Sequence, residues 1–185
     1  AKKRGLPYVF TANGTLRRHE RKLLIKKVWD RVVSSAIPFN ASACIAVSKI
    51  DRSIHNKHGI PNAKLYQIPN GLDLDEFQVI NAPTFKIQLN IPEEHKCILY
   101  LGRISPRKGV DILVQSFQQL TTPNVHLVIA GSDMGGLREA KRLAKRHPQI
   151  HFLDTISGDE RLHALSSADL VVYPSKNEIF GLVPF

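Results

Sequence analysis

The chain is 185 residues long, 43% apolar and 23% charged, with a formal net charge of +10. That length is enough for one large domain or two small ones with a real core, and the balance is ordinary for a soluble globular chain. No apolar run approaches the roughly 18 residues that span a bilayer and no signal-peptide pattern opens the sequence, so neither a transmembrane helix nor a secretory route is expected.

The charge is uneven. Residues 1–65 hold 14 Lys and Arg against Glu20, Asp30 and Asp51, a balance of 14 − 3 = +11, while residues 66–185 hold 12 bases and 13 acids, 12 − 13 = −1. The first third is thus suited to an anionic partner, be it nucleic acid, phospholipid or a phosphorylated acceptor. Cys44 and Cys97 each sit in an apolar, strand-like run without a Cys-x-x-Cys neighbour. They are expected to be small core side chains in a reducing compartment rather than a disulfide.

In chain order, Pro7–Thr11 reads as a short buried strand followed by a turn at Asn13-Gly14. Leu16 to Ile37 has helical periodicity in Leu24, Ile25, Val28, Trp29, Val32 and Val33, and Pro38 is expected to end that helix. Its other face carries Arg17, Arg18, Arg21, Lys22, Lys26, Lys27 and Arg31. Ala43–Val47 predicts a strand, Ser48 starts a helix to about Lys57, and Tyr66–Ile68 predicts another strand. Residues 73–83 lack periodicity and read as a connector. Strands are then expected near 97–101, 125–130, 150–153 and 169–173, with helices near 110–120, 136–146 and 159–167. Single helices between strands call for right-handed parallel crossovers and hence an α/β fold with a doubly wound parallel sheet. The eight histidines are scattered along the chain, which favours solvent and surface roles, and no histidine motif suggests a metal.

The chemistry-bearing residues fall just after predicted strands. Gly102-Arg103 ends the strand at 97–101, Lys108-Gly109 opens the next helix, and Glu178-Ile-Phe-Gly181 follows the strand at 169–173. In a doubly wound sheet, these positions lie at the carboxyl ends of the strands, where such folds bind ligands. Arg103 can grip a phosphate with its planar fork and Lys108 can add a compact charge. Taken singly, both cations would be surface residues, and Glu178 would be a helix-start residue favoured by the helix dipole.

Taken together, Ile68-Pro-Asn-Gly-Leu-Asp73, Gly102-Arg103, Lys108-Gly109, Val128-Ile-Ala-Gly131, Ala168-Asp169, Pro174-Ser175 and Glu178-x-Phe-Gly181 resemble the retaining nucleotide-sugar glycosyltransferases of group 1 (family 4-like). These enzymes have two Rossmann-like domains in the GT-B arrangement. The resemblance implies that residues 1–80 are the carboxyl-terminal part of the acceptor domain and 84–185 most of the nucleotide-sugar-binding domain. It implies a donor site with Glu178 as the catalytic carboxylate, accepting hydrogen bonds from donor-sugar hydroxyls. Arg103 and Lys108 would lie against the donor diphosphate together with the helix-start N–H groups of Gly181 and Leu182. Ile156 and Arg161, after the strand at 150–153, correspond to positions contacting the nucleotide base and phosphate.

The same resemblance implies no metal and no cofactor beyond the nucleotide-diphosphate sugar itself, a glycan or lipid-linked acceptor, and a cytoplasmic location, either free or peripheral at the inner face of the cell membrane. The family's Glu-x7-Glu pair would place its second glutamate at position 186, so the chain is expected to be a fragment, inactive by itself. A sugar-nucleotide epimerase or phosphorylase-like enzyme of the same architecture stays open, as does a basic nucleic-acid binder, though interleaved aromatics for the latter are few: Tyr8, Phe10 and Trp29. The Leu16–Ile37 helix is expected to meet an anionic membrane surface or lipid-linked acceptor, with a merely solvated basic face as the alternative.

Overall fold

Every strand pairing among the described residues is parallel, as single-helix crossovers require. The computed structural model describes residues 5–13, 15–16, 36–73, 75, 84–176 and 178–179. The Leu16–Ile37 helix lies outside the described residues apart from Leu16, Ala36 and Ile37, and so do Gly181 and Leu182. The chain divides into two compact units, Ala1–Gly71 and Leu72–Glu178.

The first unit is a three-stranded sheet, β1 (Val9–Thr11), β2 (Ala43–Ala46) and β3 (Leu65–Gln67), with β2 in the middle. Cys44 and Ala46 of β2 are wholly buried with Ala41, Ile60 and Leu65. The strand expected to be buried near Pro7–Thr11 is instead an edge strand: Val9 is 59% exposed, while Tyr8 and Phe10 pack in part against the core. Pro38 does not end its helix, because helix α1 (Ala36–Asn40) continues past it. Proline removes only its own N–H donor, while its carbonyl still accepts from Ala41 N (3.4 Å) and Cys44 Sγ (3.5 Å). Ser48 caps helix α2 (Lys49–Lys57), its Oγ accepting from Asp51 N at 3.1 Å, the role serine fills best at a helix start.

The second unit is a four-stranded sheet in which α3 (Thr84–Gln88) leads to β4 (Lys96–Leu101), α4 (Val110–Phe117), β5 (Val125–Ala130), α5 (Leu137–Ala144), β6 (Ile150–Leu153), α6 (Gly158–Ser167) and β7 (Leu170–Val171). The spatial order is β6-β5-β4-β7. On one face, Val110, Leu113, Val114 and Phe117 of α4 and Ala140 and Ala144 of α5 pack on Tyr100, Leu127, Ile129 and Ile150. On the other, Phe85 of α3 and Ala164 of α6 cover Cys97, Leu99, Leu101, Val128 and Ala130. All six residues of β5 are buried, as a central strand covered on both faces must be. Each fully buried Leu, Ile, Val or Phe among them contributes about 1.5–3 kcal/mol. α3 begins directly after the connector expected at residues 73–83, where the sequence predicts no element, and β7 is shorter than residues 169–173 because Pro174 soon follows.

Both cysteines are free and buried, in line with their reading as core side chains. Burial pushes the Cys97 thiol up to about 11, which keeps it unreactive. Asp169 stitches β7 to β4: its carboxylate accepts from Cys97 N (2.8 Å), Lys96 Nζ (2.8 Å) and Lys86 Nζ (3.4 Å). The Lys96 hydrogen bond, seconded by that of the Cys97 amide, holds its pKa down to about 2.

Three of the eight histidines are not scattered in space. Sheet register sets His126 opposite Cys97 and His151 opposite Val128, while His95 directly precedes β4. The rings form a stacked row, with His95 Nδ1 3.0 Å from His126 Nε2 and His126 Nδ1 3.0 Å from His151 Nε2. Burial first, then the neighbouring imidazoles, pushes the His126 pKa below its ordinary 6.5, and burial does the same to His151. Because the folded-state values are depressed, the unfolded chain takes up protons first. Stability is therefore full above about pH 6.5 and is lost as pH falls through the depressed values. Replacing His126 by Leu, which cannot be protonated, is expected to flatten the fall of the urea midpoint between pH 7.5 and pH 5; a slope as steep as in the parent would contradict this assignment.

Candidate active site

The strand order of the second unit reverses between β4 and β7. Chain direction runs β4, β5, β6 to one side, and α6 then returns the chain to the other side of β4. Crossover helices leave the two neighbours on opposite faces, and the crevice outside their carboxyl ends is where doubly wound sheets bind ligands. Both halves of the sequence signature land there: Gly102 to Gly109 follows β4, and Tyr173 to Glu178 follows β7.

Close backbone approach builds the crevice. Gly131, at the end of β5 with φ +149°, lies so near β4 that an added Cβ would stand 1.9 Å from the Gly102 carbonyl oxygen. Gly109 begins α4 in a left-handed conformation (φ +71°), and a Cβ there would stand 2.5 Å from the Pro174 oxygen. Lys176 N also donates to Arg107 O at 3.2 Å, so the segments flanking Lys108 and preceding Glu178 are laced together. The loop carrying Arg103 is held from behind: wholly buried Ile104 donates to Ser132 O and accepts from Met134 N and Gly136 N. Asp133 in turn accepts from the amides of Gly135, Gly136 and Leu137, which holds its carboxyl below the usual range, the Leu137 amide foremost.

Lys108 and Glu178, 70 residues apart, meet directly, with Nζ 2.6 Å from Oε2. The same Oε2 accepts from Ser175 Oγ (3.0 Å) and Tyr173 Oη (3.2 Å), while Lys108 Nζ also donates to Tyr173 Oη (2.5 Å). The Lys108 side chain is 13% exposed and that of Glu178 33%. Burial works against ionisation of Glu178, but the hydrogen bonds from Lys108 and Ser175 and the Lys108 charge outweigh it and hold its pKa below the usual value. Glu178 is thus an anion at neutral pH. Arg103 is exposed beside this cluster in sequence and is tied to it through two tyrosines. Tyr100 Oη donates to Arg103 O (2.8 Å), and the Tyr100 ring stacks on Tyr173 with centroids 6.2 Å apart. Burial raises the Tyr100 pKa, so its hydroxyl stays protonated and donating.

Of the residues expected to form the site, the structure therefore brings Lys108 and Glu178 into contact and links Arg103 to them. The Ile156 side chain lies in the core on the α3 and α6 face, which leaves only its backbone for a ligand. Arg161 lies in the first half of α6 and is partly buried. Gly181 and Leu182 fall outside the described residues. Tyr173 and Ser175 were not among the expected residues, although Pro174-Ser175 belongs to the motif series; only the fold sets them against Lys108. Among the described residues no group of three or more His, Cys, Asp or Glu side chains is arranged to hold a metal ion.

A parallel sheet whose switch point brings a lysine against a carboxylate, with a second cation on the same loop, defines an α/β protein of the doubly wound class. Residues 81–185 match the family model described as Glycosyl transferases group 1, residues 1–76 match Glycosyltransferase Family 4, and the chain belongs to the group 1 glycosyltransferase family. It is 32% identical over 154 residues to an uncharacterized glycosyltransferase of Methanocaldococcus jannaschii, covering 78% of this chain and 39% of that protein. It is 30% identical over 139 residues to the D-inositol 3-phosphate glycosyltransferase of Mycobacterium tuberculosis, covering 71% of this chain and 28% of that enzyme. In fold it resembles Anabaena HepE in complex with UDP-glucose, with a TM-score of 0.78 at 22% identity over 96% of this chain and 49% of that one. The chain thus spans less than half the length of each of these three relatives.

The glycine contacts give a direct test of the crevice. Gly109→Ala is expected to destabilise the fold by more than about 2 kcal/mol, since backbone strain and a clash with Pro174 add. Gly158→Ala carries the strain alone, because no heavy atom lies within 4 Å of its Cβ position, and is expected to cost about 1 kcal/mol. Equal urea midpoints for the two variants would show that the Gly109–Pro174 contact is not rigid.

Proposed function

We propose that the full-length protein transfers a sugar from a nucleoside-diphosphate sugar to a hydroxyl group of a glycan or lipid-linked acceptor, with retention and without a metal ion. The observation that carries the reading is the Lys108–Glu178 contact at the β4–β7 switch point, with Arg103 on the same loop as Lys108. In the transfer, the bond from the anomeric carbon to the diphosphate oxygen breaks and a bond to the acceptor oxygen forms. The acceptor proton goes to the departing phosphate, and nucleoside diphosphate is released. Negative charge grows on the leaving diphosphate, where fixed cations stabilise the transition state more than the ground state. Arg103 and Lys108 are the cations assigned to it.

Glu178 is assigned to the sugar. Three donors converge on its Oε2, and among the described residues none reaches Oε1. Oε1 is therefore the oxygen left to accept from a sugar hydroxyl. The UDP-glucose bound by HepE supports a nucleotide-sugar donor; retention and metal independence rest on family membership. Scanning nucleotide sugars for release of nucleoside diphosphate tests the proposal. Arg103→Ala and Lys108→Ala are each expected to lower turnover by about 10² to 10³, the effect of losing one preorganised charge. Glu178→Gln is expected to impair transfer more than nucleoside-diphosphate binding. Undiminished transfer by both cation variants would overturn the phosphate assignment.

The acceptor side of the proposal draws on charge. The seven cations between Arg17 and Arg31 within the +11 region are proposed to meet an anionic membrane surface or lipid-linked acceptor, each cation contributing about 1 kcal/mol near an anionic leaflet. Among the described residues no helix is long and apolar enough to cross a membrane. Sedimentation with anionic vesicles is expected to fall as salt rises and to be lost with neutral lipid; binding indifferent to both would contradict an electrostatic attachment.

A further inference from the structure

On the footing of the proposed donor site, we propose that Tyr173 is a positioning residue whose hydroxyl sets Lys108 and Glu178 in their places relative to each other. Lysine and glutamate have long, flexible stems, so an ion pair between them can hold at many geometries. Tyrosine has few torsions, and this one is fixed at the ring. It stacks on Tyr100 with an interplanar angle of 11°, and Lys108 Nζ lies 4.8 Å above its centroid. Its single hydroxyl proton goes to Glu178 Oε2 while its oxygen accepts from Lys108 Nζ. Tyr173 is the described residue whose side chain touches both partners; Ser175 Oγ reaches only Glu178.

The stack extends the device to the third expected ligand. Tyr100, wholly buried, donates to the Arg103 carbonyl, so one plate of two rings braces the loop of Arg103 and the head groups of Lys108 and Glu178. Held this way, the ammonium faces a diphosphate and the second carboxylate oxygen faces a sugar without either side chain having to be ordered at the moment of reaction, which is how support behind a site raises its rate.

Tyr173→Phe keeps the ring, its stacking and the aromatic face under Lys108, and removes only the hydroxyl. In the full-length protein it is expected to lower kcat by about tenfold, the scale of one hydrogen bond made in a polar site, while KM for the donor changes far less. Loss of a donor to the ionised carboxylate raises the Glu178 titration, so the acid limb of the pH–kcat profile is expected to move to higher pH. The same titration is read without turnover by carbon-13 NMR of carboxyl-labelled glutamate, with the Glu178 resonance identified by its loss in Glu178→Gln. Ser175→Ala is expected to raise the Glu178 titration as well but to leave the affinity for inorganic pyrophosphate unchanged, whereas Tyr173→Phe raises the titration and also weakens pyrophosphate binding, by less than its tenfold effect on kcat. An unmoved Glu178 titration in Tyr173→Phe overturns the proposal, as does a lower melting temperature with titration and pyrophosphate affinity intact, which would mark Tyr173 as packing only. If the parent protein releases nucleoside diphosphate from no nucleotide sugar, the transferase reading fails, and the NMR titration with pyrophosphate binding still decides the role of Tyr173.

Discussion

At the boundary between β4 and β7 the strand order reverses: the chain leaves β4 through α4 on one face of the sheet and reaches β7 through α6 on the other. This topological constraint underlies the whole site. It brings a loop that begins at Gly102 against a segment that begins at Tyr173, although the two are separated by three helices and three strands. Close approach then depends on residues without a Cβ: Gly131 against the Gly102 carbonyl and Gly109 against Pro174. Larger side chains at either place would push the segments apart and separate Lys108 from Glu178.

Electrostatics inside the crevice follow from that proximity. A partly buried carboxylate is costly unless it is hydrogen-bonded, and Glu178 meets three donors on one oxygen. Lys108 is likewise shielded, and the two neutralise each other without a ligand. Such an arrangement stores a cation and an anion side by side at fixed positions, as the proposed nucleotide-sugar donor would need. The ion pair is weak evidence for stability, since desolvation offsets much of the Coulomb gain, and its value lies in orientation.

Periodicity made the second unit readable. Val125–Ala130 is apolar apart from His126 and Ile150–Leu153 is short and bounded by turns, so both strands lie where the pattern puts them. Helix α3 was not legible because its five residues adjoin an aperiodic stretch and form less than two turns. Pro38 misled because a proline's missing N–H breaks only one bond, and the turn after it can continue. Val9 misled because apolar residues on an edge strand need not be covered. At the site, Lys108 and Glu178 were legible from motif order, yet their mutual contact was not, since it depends on strand order. Tyr173 and the row of His95, His126 and His151 needed register between strands, a property that no local window contains.

The central claim is that the β4–β7 switch point receives the donor diphosphate between Arg103 and Lys108. A crystal structure of the protein with a nucleoside diphosphate tests it most directly. The account predicts phosphate oxygens within hydrogen-bond distance of both the Arg103 guanidinium and the Lys108 ammonium, with Tyr173 still bonded to Glu178. A diphosphate bound away from both cations would contradict it.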